Sequence, residues 1–96
     1  MDVEAVFGRS RPVVGMVHLP PLPDAPRYDA GGGRERLHER ARRDAERLAA
    51  GGVDALLVEN YGDAPFHPER VPRSVVAELT ALTRTVGEAV DLPVGV

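Results

Sequence analysis

The apolar run Ala55-Leu56-Leu57-Val58 ends abruptly in Glu59-Asn60-Tyr61-Gly62-Asp63-Ala64-Pro65-Phe66, and this junction constrains the fold more than any other feature of the chain. A buried strand ending in a carboxylate, an amide, a glycine and a second carboxylate gathers its chemistry at one strand end. That is where α/β proteins place their sites. The same design occurs earlier, where Val13-Val14-Gly15-Met16-Val17 runs into His18 and the loop Leu19-Pro20-Pro21-Leu22-Pro23. Two strands therefore deliver polar groups toward one face.

Between and after these strands the hydrophobic period becomes helical. From about Arg34, residues Leu37, Ala41, Ala45, Leu48 and Ala49 recur at helical spacing and Gly51-Gly52 supplies a stop. Pro72 suits a first helical position, and Val75, Val76, Leu79, Leu82, Val86 and Val90 form a second stripe that Asp91-Leu92-Pro93 terminates. Val94-Gly95-Val96 then reads as a third strand, after strands over Val13 to Leu19 and Ala55 to Glu59. The order strand, helix, strand, helix, strand implies parallel pairing through right-handed crossovers, and with no reversal in strand order both helices are expected on one side of the sheet.

Two architectures accept that order: an open doubly wound sheet and part of a (β/α)8 barrel. A dinucleotide fold needs a short Gly-rich turn after its first strand, and here Pro20-Pro21-Leu22-Pro23 and a long loop occupy that place. Gly31-Gly32-Gly33 neither follows the strand directly nor spells the phosphate-binding pattern. The barrel is therefore the expected fold.

Composition narrows the function classes. The chain has 96 residues, 43% hydrophobic and 28% charged, which fits a folded domain and lies outside the disordered class. A net charge of -3 argues against a nucleic-acid-binding face. No apolar run approaches the roughly 20 residues of a membrane span, and the start Met1-Asp2-Val3-Glu4 lacks the basic region of a signal peptide, so a cytoplasmic location is expected. With no cysteine there is no thiol nucleophile or disulfide. All 12 basic residues are arginine, which excludes a Schiff-base lysine from this segment.

The candidate catalytic residues are His18, Glu59, Asn60 and Asp63. Strand alternation puts His18 with Met16 and Val14, and Glu59 with Leu57 and Ala55. His18 suits a general acid or base, a ligand, a phosphate contact, or a histidine that pins the Pro-rich loop. Glu59 suits a general base, a hydroxyl acceptor, a metal ligand, or a structural ion pair. Asn60 and Asp63 carry the weaker signal, because Asn-Tyr-Gly-Asp is also turn chemistry with Gly62 free to take positive φ. His67 beside Asp63 and Glu59 is a low-specificity metal pattern, so the metal and cofactor are left open. His38 is expected on a solvated helix surface, and Asp44 in a structural hydrogen bond.

The stretches Val14-Gly15-Met16-Val17-His18-Leu19-Pro20-Pro21-Leu22-Pro23, Asp44-Ala45, Gly51-Gly52-Val53-Asp54-Ala55 and Glu59 to Phe66, with the closing Leu92-Pro93-Val94-Gly95-Val96, together resemble the BtpA family nearly end to end. One departure is Asp24, where the family often has glycine. The resemblance implies a ribulose-phosphate-binding type of TIM barrel. The family includes a member tied to photosystem I biogenesis and a relative encoded among sugar-utilisation genes. For function, the resemblance implies an enzyme acting on a small phosphorylated or sugar-like metabolite, with acid/base residues at the strand rim. The alternative is a non-enzymatic biogenesis or assembly factor for a membrane complex. The full-length protein is expected to be a homo-oligomer.

A barrel of this kind takes about 250 residues, so residues 1–96 are expected to be one partial domain, about its N-terminal third. Inward-facing side chains of three strands then lack partners, an unrealised burial on the order of 10 to 20 kcal/mol. The chain alone is not expected to be a stable monomer.

Overall fold

The computed structural model describes residues 2–63 and 70–96, and within them the chain forms an α/β unit of three helices and one small parallel sheet. The elements in order are α1 (Val3–Phe7), β1 (Val14–His18), α2 (Gly33–Ala50), β2 (Ala55–Glu59), α3 (Arg73–Ala89) and β3 (Val94–Gly95). The sheet order is β1-β2-β3, with both pairs parallel. β1 and β2 run in register from Val14 opposite Ala55 to His18 opposite Glu59.

Burial follows the strand alternation. In β1 only Gly15 and Val17 are buried, and their partners Leu56 and Val58 are buried with them. The side chains of Val17, Leu56 and Val58 join Leu37, Ala41 and Ala45 of α2 and Val75, Leu82 and Val86 of α3 in one apolar cluster. Both long helices therefore cover the same face, as the unreversed strand order predicts. A Cβ at Gly15 would lie 3.2 Å from Leu56 and 3.3 Å from Leu48, so glycine lets α2 approach β1 closely. Arg34 Nε donates to Glu78 Oε1 at 2.6 Å, linking α2 to α3, and that hydrogen bond, then the carboxylate charge, raises the guanidinium pKa. The opposite face is open at β1, where Val14 is 43% and Met16 37% exposed, while Ala55 of β2 is buried.

Several expectations shift in detail. β1 lacks Val13 and Leu19, and β3 holds only Val94 and Gly95. Pro72 precedes α3 as its N-cap in extended conformation, one position ahead of its expected place inside the helix. His38 is half-buried and its Nδ1 lies 2.6 Å from Thr85 Oγ1, so this ring bridges α2 and α3 where a solvated surface was expected. Asp44 lies 3.7 Å from Arg40, one turn earlier on the same helix. Helix α1 is an element that the hydrophobic pattern did not announce; Asp2 caps it by accepting from Glu4 and Ala5 N–H, and Gly8 closes it. Asp24 has φ 74, in the left-handed region that favours glycine and that aspartate tolerates.

Candidate functional site

The C-terminal ends of β1 and β2 carry the candidate residues. Because His18 pairs with Glu59 across a parallel ladder, both side chains leave the same, open face. His18 Nε2 lies 3.7 Å from Glu59 Oε2, with the side chains 47% and 43% exposed. That separation is within ion-pair range but too long for a hydrogen bond. The Tyr61 ring stacks on the His18 imidazole, with centroids 4.4 Å apart and planes 14° from parallel. A stacked aromatic pair contributes about 0.5–1.5 kcal/mol, whereas an exposed ion pair contributes about 0–1 kcal/mol. The stack is the stronger restraint on the imidazole.

The loops behind this pair are tied together. The N–H of Leu19 donates to Glu59 O at 2.9 Å, extending the ladder past the strand, and that of Gly62 donates to Leu19 O at 2.9 Å. Asp63 N–H donates to Asn60 O at 3.0 Å, closing a turn with Tyr61 and Gly62 at its centre. A Cβ on Gly62 would fall 2.6 Å from Pro21 N and 2.7 Å from Leu19 O, so glycine is required for space. The freedom of Gly62 to take positive φ is not used there.

Asp63 is buried, and both its oxygens are engaged. Oδ1 accepts from Leu22 N–H at 2.8 Å and Oδ2 from Asn60 Nδ2 at 3.0 Å. This carboxylate fastens the Pro-rich loop onto the β2 turn, and Asn60 orients it. Of the four sequence candidates, the geometry brings His18 and Glu59 together on the open face and directs Asn60 and Asp63 to each other. His67, with Ala64, Pro65 and Phe66, lies outside the described residues. Among the described residues no group of three or more histidine or acidic side chains forms a metal cluster. Tyr61 was not among the candidates; its signal was an aromatic residue inside a turn flanked by two polar strand-end residues.

A parallel sheet covered by two helices on one face, with His18 and Glu59 side by side at its strand ends, makes this an α/β chain. The BtpA family model matches residues 9–96, and the chain belongs to that family. It is 44% identical to the photosystem I biogenesis protein BtpA of Synechocystis sp. over 96 residues, 100% of this chain and 33% of that protein. An uncharacterised protein of Pyrococcus furiosus is 43% identical over 86 residues, covering 90% of this chain and 32% of its own length. The putative sgc region protein SgcQ of Escherichia coli is 30% identical over 97 residues, covering 98% of this chain and 35% of its own. The chain thus spans about a third of the length of these relatives. No solved structure matches, and no helix among the described residues is long and apolar enough to cross a membrane.

Proposed function

We propose that this chain is the N-terminal βαβαβ portion of a (β/α)8 barrel whose rim carries an acid/base pair, His18 and Glu59, acting on a small phosphorylated or sugar-like metabolite. The observation that carries the reading is the 3.7 Å approach of His18 Nε2 to Glu59 Oε2 at adjacent strand ends, where both groups remain solvent-accessible and neither is hydrogen-bonded to the other. Barrel enzymes put their reacting groups at such ends. In this reading the carboxylate takes a proton or accepts a substrate hydroxyl, while the imidazole donates or removes a proton on the same molecule. Asn60 and Asp63 hold the rim loops that flank the pair.

The open face and the edges support the barrel. With both long helices on one side, Val14 and Met16 face a side that further strands of a barrel enclose. Beyond α3, an apolar groove lined by Val75, Val76, Leu79, Thr83 and Val96 lies beside β3, where a next helix packs in this architecture. On this reading the isolated chain self-associates or unfolds without cooperativity. Sedimentation with a urea titration checks it, and a monomer with a sharp two-state transition contradicts it.

A second reading has its own observation. The exposed apolar residues Val13, Val14 and Met16, with a relative named for photosystem I biogenesis, suit a docking face of an assembly factor. NMR of the full-length protein with a panel of sugar phosphates separates the two. The enzyme reading expects the His18 and Glu59 signals to move with at least one compound; no response at either residue from any of them favours the assembly factor.

A further inference from the structure

We propose that Tyr61 is a positioning residue: its ring holds the His18 imidazole in the plane from which Nε2 faces Glu59. The functional consequence rests on the acid/base reading, while the geometric claim stands without it. Tyr61 is 62% exposed, yet its ring lies 4.4 Å from the imidazole and nearly parallel to it. A surface tyrosine gives up rotamer freedom to cover a neighbour, and that cost falls where the backbone already aims it there. The backbone is so aimed. Asn60 O and Asp63 N–H close the turn on either side of Tyr61, and Gly62 is pressed against Pro21 and bonded to Leu19. The tip of the β2 turn is thereby fixed to the loop that follows His18.

The contact with Glu59 cannot orient the imidazole by itself. At 3.7 Å it lacks the directionality of a hydrogen bond, and both partners are close to half exposed. Among the described residues, the stack is the contact that fixes the ring plane, and it does so in either protonation state, since an imidazolium is also attracted to a tyrosine face. Leaving one ring face to Tyr61 and the edge to Glu59 keeps the rest of the imidazole open to a bound molecule.

The test uses the full-length protein and reads the His18 ring protons and ring nitrogens by NMR in wild type, Tyr61→Phe, Tyr61→Leu and Glu59→Gln. The expected result is an upfield ring-current shift of the His18 protons in wild type, retained in Tyr61→Phe and in Glu59→Gln and lost in Tyr61→Leu. In Tyr61→Leu the ring-nitrogen signals also move toward those of a freely rotating histidine. Because Tyr61 is exposed, its replacement leaves the core intact, and unchanged backbone amide signals outside the rim check this. The proposal is overturned if Tyr61→Leu leaves the His18 signals where they were, or if Glu59→Gln displaces them as far as Tyr61→Leu does. Once a turnover assay exists, Tyr61→Leu lowers kcat about tenfold and Tyr61→Phe restores it. If Glu59→Gln leaves turnover intact while Tyr61→Leu still releases His18, the acid/base reading fails and the positioning role survives.

Discussion

The two ends of the sheet are built on the same device and put it to different use. At the N-terminal end, Asp54 Oδ2 accepts from Val13 N–H at 2.8 Å, and its Oδ1 meets Arg9 Nε at 3.0 Å. At the C-terminal end, Asp63 accepts from Leu22 N–H, also at 2.8 Å, and from Asn60. Each aspartate reaches back 41 residues to fasten the chain flanking β1 to the chain flanking β2. At the N-terminal end the polar groups are taken up in the fastening itself. At the other end the fastened loops surround His18 and Glu59, which are half exposed and have no mutual hydrogen bond. Polar groups with satisfied partners hold the fold, and those left over at a strand end are available for a ligand.

Replacing the two aspartates sharpens that comparison most. Asp63→Ala leaves the buried Leu22 N–H without an acceptor and frees Asn60, and we expect a loss of about 2–4 kcal/mol in urea unfolding of the full-length protein. Asp54→Ala removes an equivalent bond from a more exposed site, where water replaces the carboxylate, and the expected loss is about 1–2 kcal/mol. Equal losses would mean that the two clips are energetically alike, and the larger burial at Asp63 would then explain nothing. The smallest effect belongs to His18→Ala, with about 0.5–1 kcal/mol lost in the same titration, because it removes the partly exposed stack on Tyr61 and an exposed pair at 3.7 Å that contributes little. A loss of about 2 kcal/mol at His18 would place it with the clips and break the distinction.

How much of this was legible depends on the range of each interaction. The apolar run Ala55 to Val58 and the period-two pattern of β1 were sufficient to put His18 and Glu59 on one face, because alternation is a local property. The helix stripes likewise located Leu37, Ala41 and Ala45 in the core. Helix α1 escaped notice because its five residues bury nothing, so it leaves no apolar stripe. The His38 contact is not legible in the sequence because its partner Thr85 lies 47 residues away on another helix. Asp63 carries a weaker signal than Glu59 because Asn-Tyr-Gly-Asp is also turn chemistry, and its partner, the Leu22 N–H 41 residues away, is not legible in the sequence. The role of Tyr61 is not legible in the sequence because the direction of a turn side chain depends on how the turn is pinned, here by Gly62 against Pro21.

On the acid/base proposal Glu59 serves chemistry while Asp63 serves structure, and Glu59→Gln in the full-length protein tests it most directly. The substitution removes the charge and keeps the shape. Turnover of whichever metabolite the protein is found to act on, measured beside urea unfolding, is predicted to fall by at least about a hundredfold with stability changed by less than about 0.5 kcal/mol. Unfolding of the protein by Glu59→Gln, or turnover left at the wild-type rate, would contradict the account.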